Sequence, residues 1–222
     1  MHVSKDYELF SCIWLLIFDI NDIIGKANDR RYHMLLALAG VTGVGKSYYK
    51  DQIVEKLGFE KIKIITTRKI RMGEKNNDDK VFITPEELQV LRDIGKIAYE
   101  FELLGNVYAY TKEELFSEKN MVFELHYDTI FDFKKICPHL CAIYLLPKDI
   151  ETAKDKTRDR HLDPIVEEKR LLEIDEHYKN ITTNEALRNM FDYTLYNNYD
   201  KASEDALIDF VKNLMIKENR GI

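Results

Sequence analysis

The stretch AGVTGVGKSYY, residues 39–49, holds three of the chain's nine glycines. Within it, Gly40, Val41, Thr42, Gly43, Val44, Gly45, Lys46 and Ser47 fit the pattern G-x-x-x-x-G-K-[ST]. Glycines this dense let consecutive backbone N–H groups converge on one point, and a helix start adds the positive end of its dipole, so the loop is suited to an anion. Lys46 can reach the β- and γ-phosphates of a nucleoside triphosphate, and the Ser47 hydroxyl can ligate Mg2+. The flanks agree: an apolar run, 34–39, leads in, and a helical pattern over Lys46–Leu57 leads out and stops at Gly58. A plain glycine-rich turn explains neither the Lys-Ser pair nor these flanks. Gly40, Thr42, Gly43, Val44, Gly45, Lys46 and Ser47 are therefore the expected contacts of ATP, and Ser47 the first expected metal ligand.

A transferable phosphate needs an acceptor. Arg68 and Arg71 lie three apart in Thr66-Thr67-Arg68-Lys69-Ile70-Arg71-Met72-Gly73-Glu74. On the pattern alone they fit either a planar-donor clamp for a second phosphate or a solvated basic loop. Lys156 and Arg160, in a charged helical stretch, fit either a phosphate lid or a solvated helix face.

The bulk numbers restrict the rest. A net charge of −6 disfavours a general binder of nucleic acid or anionic membrane, so any anion site is a local patch. Cys12, Cys137 and Cys141 are too few, and odd in number, for a disulfide framework, which suits a reducing, cytoplasmic setting. Cys137 and Cys141 lack a second Cys/His pair at zinc spacing and read as small residues at a strand start. The apolar run 9–18 is too short to span a bilayer and lacks a signal-peptide cleavage site.

These residues must be carried by alternating elements. Apolar runs at 34–39, 61–65, 121–125, 140–146 and 193–196 read as strands, with a further short strand at 81–83. Thr84, Pro85 and Glu87 form a capping box for a helix running to about Ile94, and Thr111 with Glu114 repeats the signature. A long charged helical region, 149–176, breaks near Asp163-Pro164, and 201–216 reads as a closing amphipathic helix. Strands alternating with helices predict an α/β fold with a parallel central sheet covered on both faces, and the short strands between 81 and 110 predict a small inserted lobe.

Taken together, the motifs resemble the guanylate kinase family. The glycine loop has that family's G-x-x-G-x-G-K-S form. Residues 66–74 resemble its acceptor-phosphate segment, Gly105-Asn106-Val107-Tyr108 its G-N-x-Y turn, and residues 195–202 its stretch near the end. The resemblance runs from about 34 to 216. It implies a P-loop NTPase fold with a three-layer core over 34–65, 121–147 and 178–218, an acceptor lobe over about 66–112 and a helical lid over about 148–177, in a domain spanning 34–222. It implies transfer of the ATP γ-phosphoryl to a small monophosphate acceptor, with Mg2+, in a monomer or homodimer. Arg68, Arg71 and Tyr108 then match acceptor-phosphate ligands, Lys80 stands where the family has a phosphate-binding tyrosine, and Lys156, Arg160 and Arg170 match lid and post-lid cations. Asn197 matches the asparagine beside the adenine. Glu124 matches the first acid of an Asp-x-Asp strand end, near Mg2+.

The base end departs from the family. Ile64 takes the place of a serine, Tyr99 that of a glutamate with Glu100 next door, Tyr110 that of a hydroxyl residue, and His126 that of the second acid. Glu100 could take over through a one-residue register shift. His126 reads equally as an acceptor contact or as a satisfied buried histidine. The resulting expectation is a monophosphate kinase whose acceptor is GMP or dGMP in name only, the alternatives being another nucleotide, a phosphosugar such as ribose 1,5-bisphosphate, or a catalytically weak binding module. Residues 1–33 lie outside the resemblance, and Met34, directly before the first strand, is the expected natural start. N-terminal mass spectrometry of native protein checks this: peptides beginning at Met34 are expected, and peptides from 1–33 overturn it.

Overall fold

The computed structural model describes residues 33–70 and 79–220. The expected extension, its apolar run and Cys12 lie outside the described residues, as does Arg71. Five strands form a wholly parallel sheet: β1 (Leu35–Gly40), β2 (Glu60–Lys61), β7 (Met121–Glu124), β8 (Cys141–Pro147) and β9 (Tyr193–Asn197), in the order β2-β7-β1-β8-β9. Alternation along these strands feeds two cores. Leu35, Ala37, Ala39, Phe123, Tyr144 and Leu146 pack on one face, and Leu36, Leu38, Val122, Ile143 and Leu145 on the other. A sheet buried on both faces needs apolar runs without polar alternation, which is how β1, β7 and β8 read in the sequence.

Helix α1 (Lys46–Leu57) ends at Gly58, whose positive φ of 72° lets its N–H cap the Val54 carbonyl. Helix α2 (Pro85–Asp93) starts at the expected box: Thr84 Oγ1 accepts from Glu87 N, and Thr84 N donates to the Glu87 carboxylate. The chain closes through α4 (Ile130–Ile136), α5 (Ile150–Arg158), α6 (Pro164–Thr183), α7 (Glu185–Arg188) and α8 (Lys201–Arg220), α3 being the single turn Lys112–Leu115. Among the described residues, no helix is long and apolar enough to cross a membrane.

A second sheet, β4-β3-β6-β5, is formed by β3 (Ile64–Thr66), β4 (Lys80–Phe82), β5 (Ile97–Leu103) and β6 (Asn106–Thr111). Here the structure departs from the sequence reading. The expected strand 61–65 is two strands in two sheets, with the crossing at Ile62-Lys63. Ile62 N still donates to Val122 O of the parallel sheet, whereas Ile64 N donates to Asp79 O of the other. Lys63 N, between them, donates to the Glu114 carboxylate. That diverts half of the second capping box: Thr111 Oγ1 accepts from Glu114 N, but the Glu114 side chain supports the crossing instead of the helix start. The hairpin β5–β6 turns through Leu104 and Gly105, both at positive φ.

Strand β9 delivers Asn197, which is 1% exposed, to the glycine loop. Its Nδ2 donates to Val44 O, and its Oδ1 accepts from Tyr49 Oη and Tyr199 N. Asn197→Leu would leave the buried Val44 carbonyl and Tyr49 hydroxyl, and the part-buried Tyr199 N–H, without this partner, at about 1–3 kcal/mol each. Urea unfolding should show a lower midpoint at an unchanged slope, with a loss of about 3 kcal/mol or more; a loss under about 1 kcal/mol would mean water replaces the tether.

Candidate active site

The loop between β1 and α1 needs its glycines for space as well as for backbone conformation. A Cβ on Gly40 would sit 2.5 Å from Leu145 O, and one on Gly43 would sit 2.2 Å from Ala153 O of α5. Gly45, at φ 91°, is the N-cap residue of α1, so the first turn of that helix opens directly onto the loop. Lys46 Nζ turns back to donate to Gly40 O at 2.8 Å and Val41 O at 3.0 Å. Burial lowers its pKa, opposed by the charge of Glu124.

Glu124 at the end of β7 gathers the cations. Its Oε1 accepts from Ser47 Oγ at 2.8 Å and from Lys50 Nζ at 3.0 Å. Lys50 is one helical turn beyond Lys46, is 5% exposed, and also pairs with Asp79 at 3.3 Å. Burial pushes the Glu124 pKa up, but Lys50, Lys46 and the Ser47 hydroxyl outweigh it and hold it at about 2. A hydroxyl and an ionised carboxylate side by side at a helix N-terminus form a hard-oxygen donor set, which fits Mg2+ with retained waters.

Two clefts open on either side of the loop. The first is lined by Gly40, Thr42, Lys46, Lys80, Tyr108, Tyr110, Glu124, His126 and Arg170, together with Ile64, Phe101, Leu103, Leu125, Tyr127, Glu173 and His177. The second is lined by Gly43, Gly45, Lys156 and Asn197, with Tyr48, Tyr49, Tyr199, Asp200, Lys201 and Glu204. Lys156 Nζ lies 4.9 Å from the centre of the Tyr199 ring. Val44 is fully buried and meets Asn197 through its carbonyl.

Several expected residues are not on these walls. The Arg68 guanidinium covers the Phe82 ring at 5.1 Å and donates to Lys69 O. Arg160 follows the end of α5, and its charge reaches Lys46 as a repulsion. Glu100 is corrected: no register shift brings it to the first cleft. It pairs opposite Ala109, and strand alternation sends Tyr99 and Phe101 to one side and Glu100 to the other. There it is exposed and held by both Nε and Nη2 of Arg92, at 2.9 and 3.0 Å.

The wall opposite the loop is aromatic. Phe101 and Tyr108 stack with centroids 5.4 Å apart and planes 18° apart. Tyr110 is buried, and its Oη donates to Glu124 O. His126 packs against Phe101, Tyr127 and His177. Sequence reasoning missed Lys50, Glu173 and His177. The signals present were the four-residue spacing of Lys46 to Lys50 and of Glu173 to His177, each of which places both side chains on one helix face.

No family model matches the chain. A guanylate kinase of Lactobacillus delbrueckii subsp. bulgaricus is 35% identical over 134 residues, which cover 57% of this chain and 65% of that enzyme. The chain thus spans just under two thirds of this relative's length. A guanylate kinase of Streptococcus thermophilus is 29% identical over 170 residues, covering 74% of this chain and 78% of its own. Among solved structures, the guanylate kinase of Anaplasma phagocytophilum superposes with a TM-score of 0.65 at 21% identity, covering 86% of this chain and 90% of its own, a likeness of fold.

The Glu124 cluster makes a pH prediction. Its carboxyl is held at about 2, against an ordinary 4.5, so its contribution is full above pH 4.5 and is lost as pH falls toward 2. Glu124→Gln should therefore be less stable at neutral pH, with Lys50 left facing a neutral amide. The gap from wild type should shrink as pH falls from 4.5 toward 2. Chemical denaturation at a series of pH values checks this; a gap independent of pH would remove the carboxylate's charge from the explanation.

Proposed function

We propose, from the premise that this chain is related to the guanylate kinases, that it transfers the γ-phosphoryl of ATP to a nucleoside monophosphate and that the preferred acceptor is not GMP. The observation that carries the reading is the first cleft. It joins Lys46 and the glycine loop at one end to an aromatic wall at the other, with Glu124 and Arg170 between.

In this reading the N–H groups of residues 40–47 and Lys46 hold the β- and γ-phosphates, with Lys46 exchanging its bonds to Gly40 O and Val41 O for phosphate oxygens. Bound Mg2+ would neutralise charge on the β- and γ-oxygens, and Ser47 and Glu124 are the residues that would hold it. Asn197 positions the loop through Val44, and Tyr49, Tyr199 and Lys156 line the cleft on the base side of ATP. Lys80, Tyr108 and Arg170, with Arg68 and Arg71 of the preceding segment, receive the acceptor phosphate. Lys156 and Arg160 add positive charge around the transferring group as water is excluded.

The acceptor preference rests on the far wall. A guanine reader offers acids to the base's N–H donors, and each unpaired donor costs about 1–3 kcal/mol. Here Glu100 faces Arg92, Tyr99 stands at the glutamate position and His126 at the second acid. The Phe101–Tyr108 stack favours a flat base over a phosphosugar.

The test is ADP release with Mg·ATP against GMP, dGMP, AMP, CMP, UMP, dTMP and ribose 1,5-bisphosphate. Turnover is expected with a nucleotide other than GMP, at a kcat/KM at least about tenfold above that for GMP. Lys46→Met should lower the rate by at least about 100-fold. GMP performing as well as the best acceptor overturns the preference. ATP binding without turnover on any acceptor overturns the kinase reading in favour of a binding module.

A further inference from the structure

Three side chains on the wall of the first cleft bring their polar atoms together without a hydrogen bond among them. Glu173 and His177 lie one turn apart on α6, and His126 is two residues beyond the end of β7. Glu173 Oε1 is 3.9 Å from His126 Nε2 and 3.9 Å from His177 Nε2, and all three ligand atoms lie within 4.8 Å of one another. Hydrogen bonds between such groups close to about 2.7–3.2 Å. Atoms at 3.9 Å surround a point between them rather than bond to each other. His126 Nε2 is buried and has no hydrogen-bond partner among the described residues.

We propose that His126, Glu173 and His177 bind a divalent transition-metal ion of the zinc class, at a site separate from the Ser47–Glu124 pair. Two imidazole nitrogens and one carboxylate oxygen form a borderline donor set that suits Zn2+, Co2+ or Ni2+ and disfavours Mg2+, which prefers oxygen. Metal–ligand bonds of about 2.0–2.2 Å set tetrahedral ligands roughly 3.3 Å apart, so each atom has to move by well under 1 Å. The surroundings already hold the ligands in place. Arg170 Nη1 takes Glu173 Oε2 at 2.5 Å and leaves Oε1 facing the imidazoles. Asp128 Oδ2 lies 3.6 Å from His126 Nδ1, near enough to close on that nitrogen as an outer carboxylate once the ring ligates a metal. The protein supplies three ligands, which leaves a fourth position toward the cleft that Tyr108 and Lys46 line.

This site does not depend on the kinase reading, and its test does not measure phosphoryl transfer. Full-length protein, stripped with chelator, is titrated with Co2+ and followed by visible d–d absorption. The expected result is a band that saturates at one equivalent, is displaced by Zn2+ and is indifferent to excess Mg2+. His126→Ala and Glu173→Gln should each weaken Co2+ binding at least about tenfold. Their thermal unfolding, recorded alongside, identifies any variant that has not folded, and Glu173→Gln keeps the volume at α6. Two results overturn the proposal: no band, which would mean the three atoms surround only water, or a band that both folded variants retain, which would mean the ion sits elsewhere.

Discussion

A carboxylate drawn out of water is tolerated only with cations and donors around it, and Glu124 at the end of β7 gathers partners from three other segments. Lys50 and Ser47 come from α1, Tyr110 from β6 meets the Glu124 carbonyl, and Asp79, just before β4, shares Lys50. Lys50 and Tyr110 are themselves buried, so these contacts are costly to lose singly. The end of β7, the first turn of α1 and one edge of the second sheet are thereby tied together at Glu124, through its carboxylate, its carbonyl and Lys50. That fixes the distance between the glycine loop and the aromatic wall, and hence the size of what fits between them.

Much of this was legible where the signal is local. The span of α1, its glycine stop and the box at Thr84 are set within a few residues, and the buried runs of β1, β7 and β8 declare a sheet covered on both faces. The crossing at Ile62-Lys63 was not legible, because the period-two pattern continues through it while the hydrogen-bond partners change. Which sheet a strand joins is decided by distant neighbours, here Val122 and Asp79. The Glu114 side chain shows the same limit: the motif at Thr111 is present, but a tertiary donor, Lys63 N, takes the carboxylate.

The site divides in the same way. The phosphate end is written contiguously, from Gly40 to Ser47, and its chemistry follows from order alone. The far wall is assembled from β5, β6, the residue after β7 and one face of α6, so its character depends on strand parity and helix packing. Parity excluded Glu100, which sits one residue from Tyr99 in sequence and on the opposite side of the sheet in space. Helix packing brought Glu173 and His177 to His126 across about fifty positions of chain.

The posture of Lys46 has a consequence for selectivity. Its ammonium is already solvated by the loop's own carbonyls, Gly40 O and Val41 O, with the charge of Glu124 nearby. Those bonds use two of its three N–H donors, so an incoming anion meets one donor freely and gains the other two only by displacing the carbonyls. A small, weakly held anion recovers little beyond what it disrupts, whereas a ligand that engages several loop amides at once recovers much more. The loop therefore acts as a threshold: it discriminates by the number of simultaneous contacts, and a crowded background of simple anions would leave it unclogged.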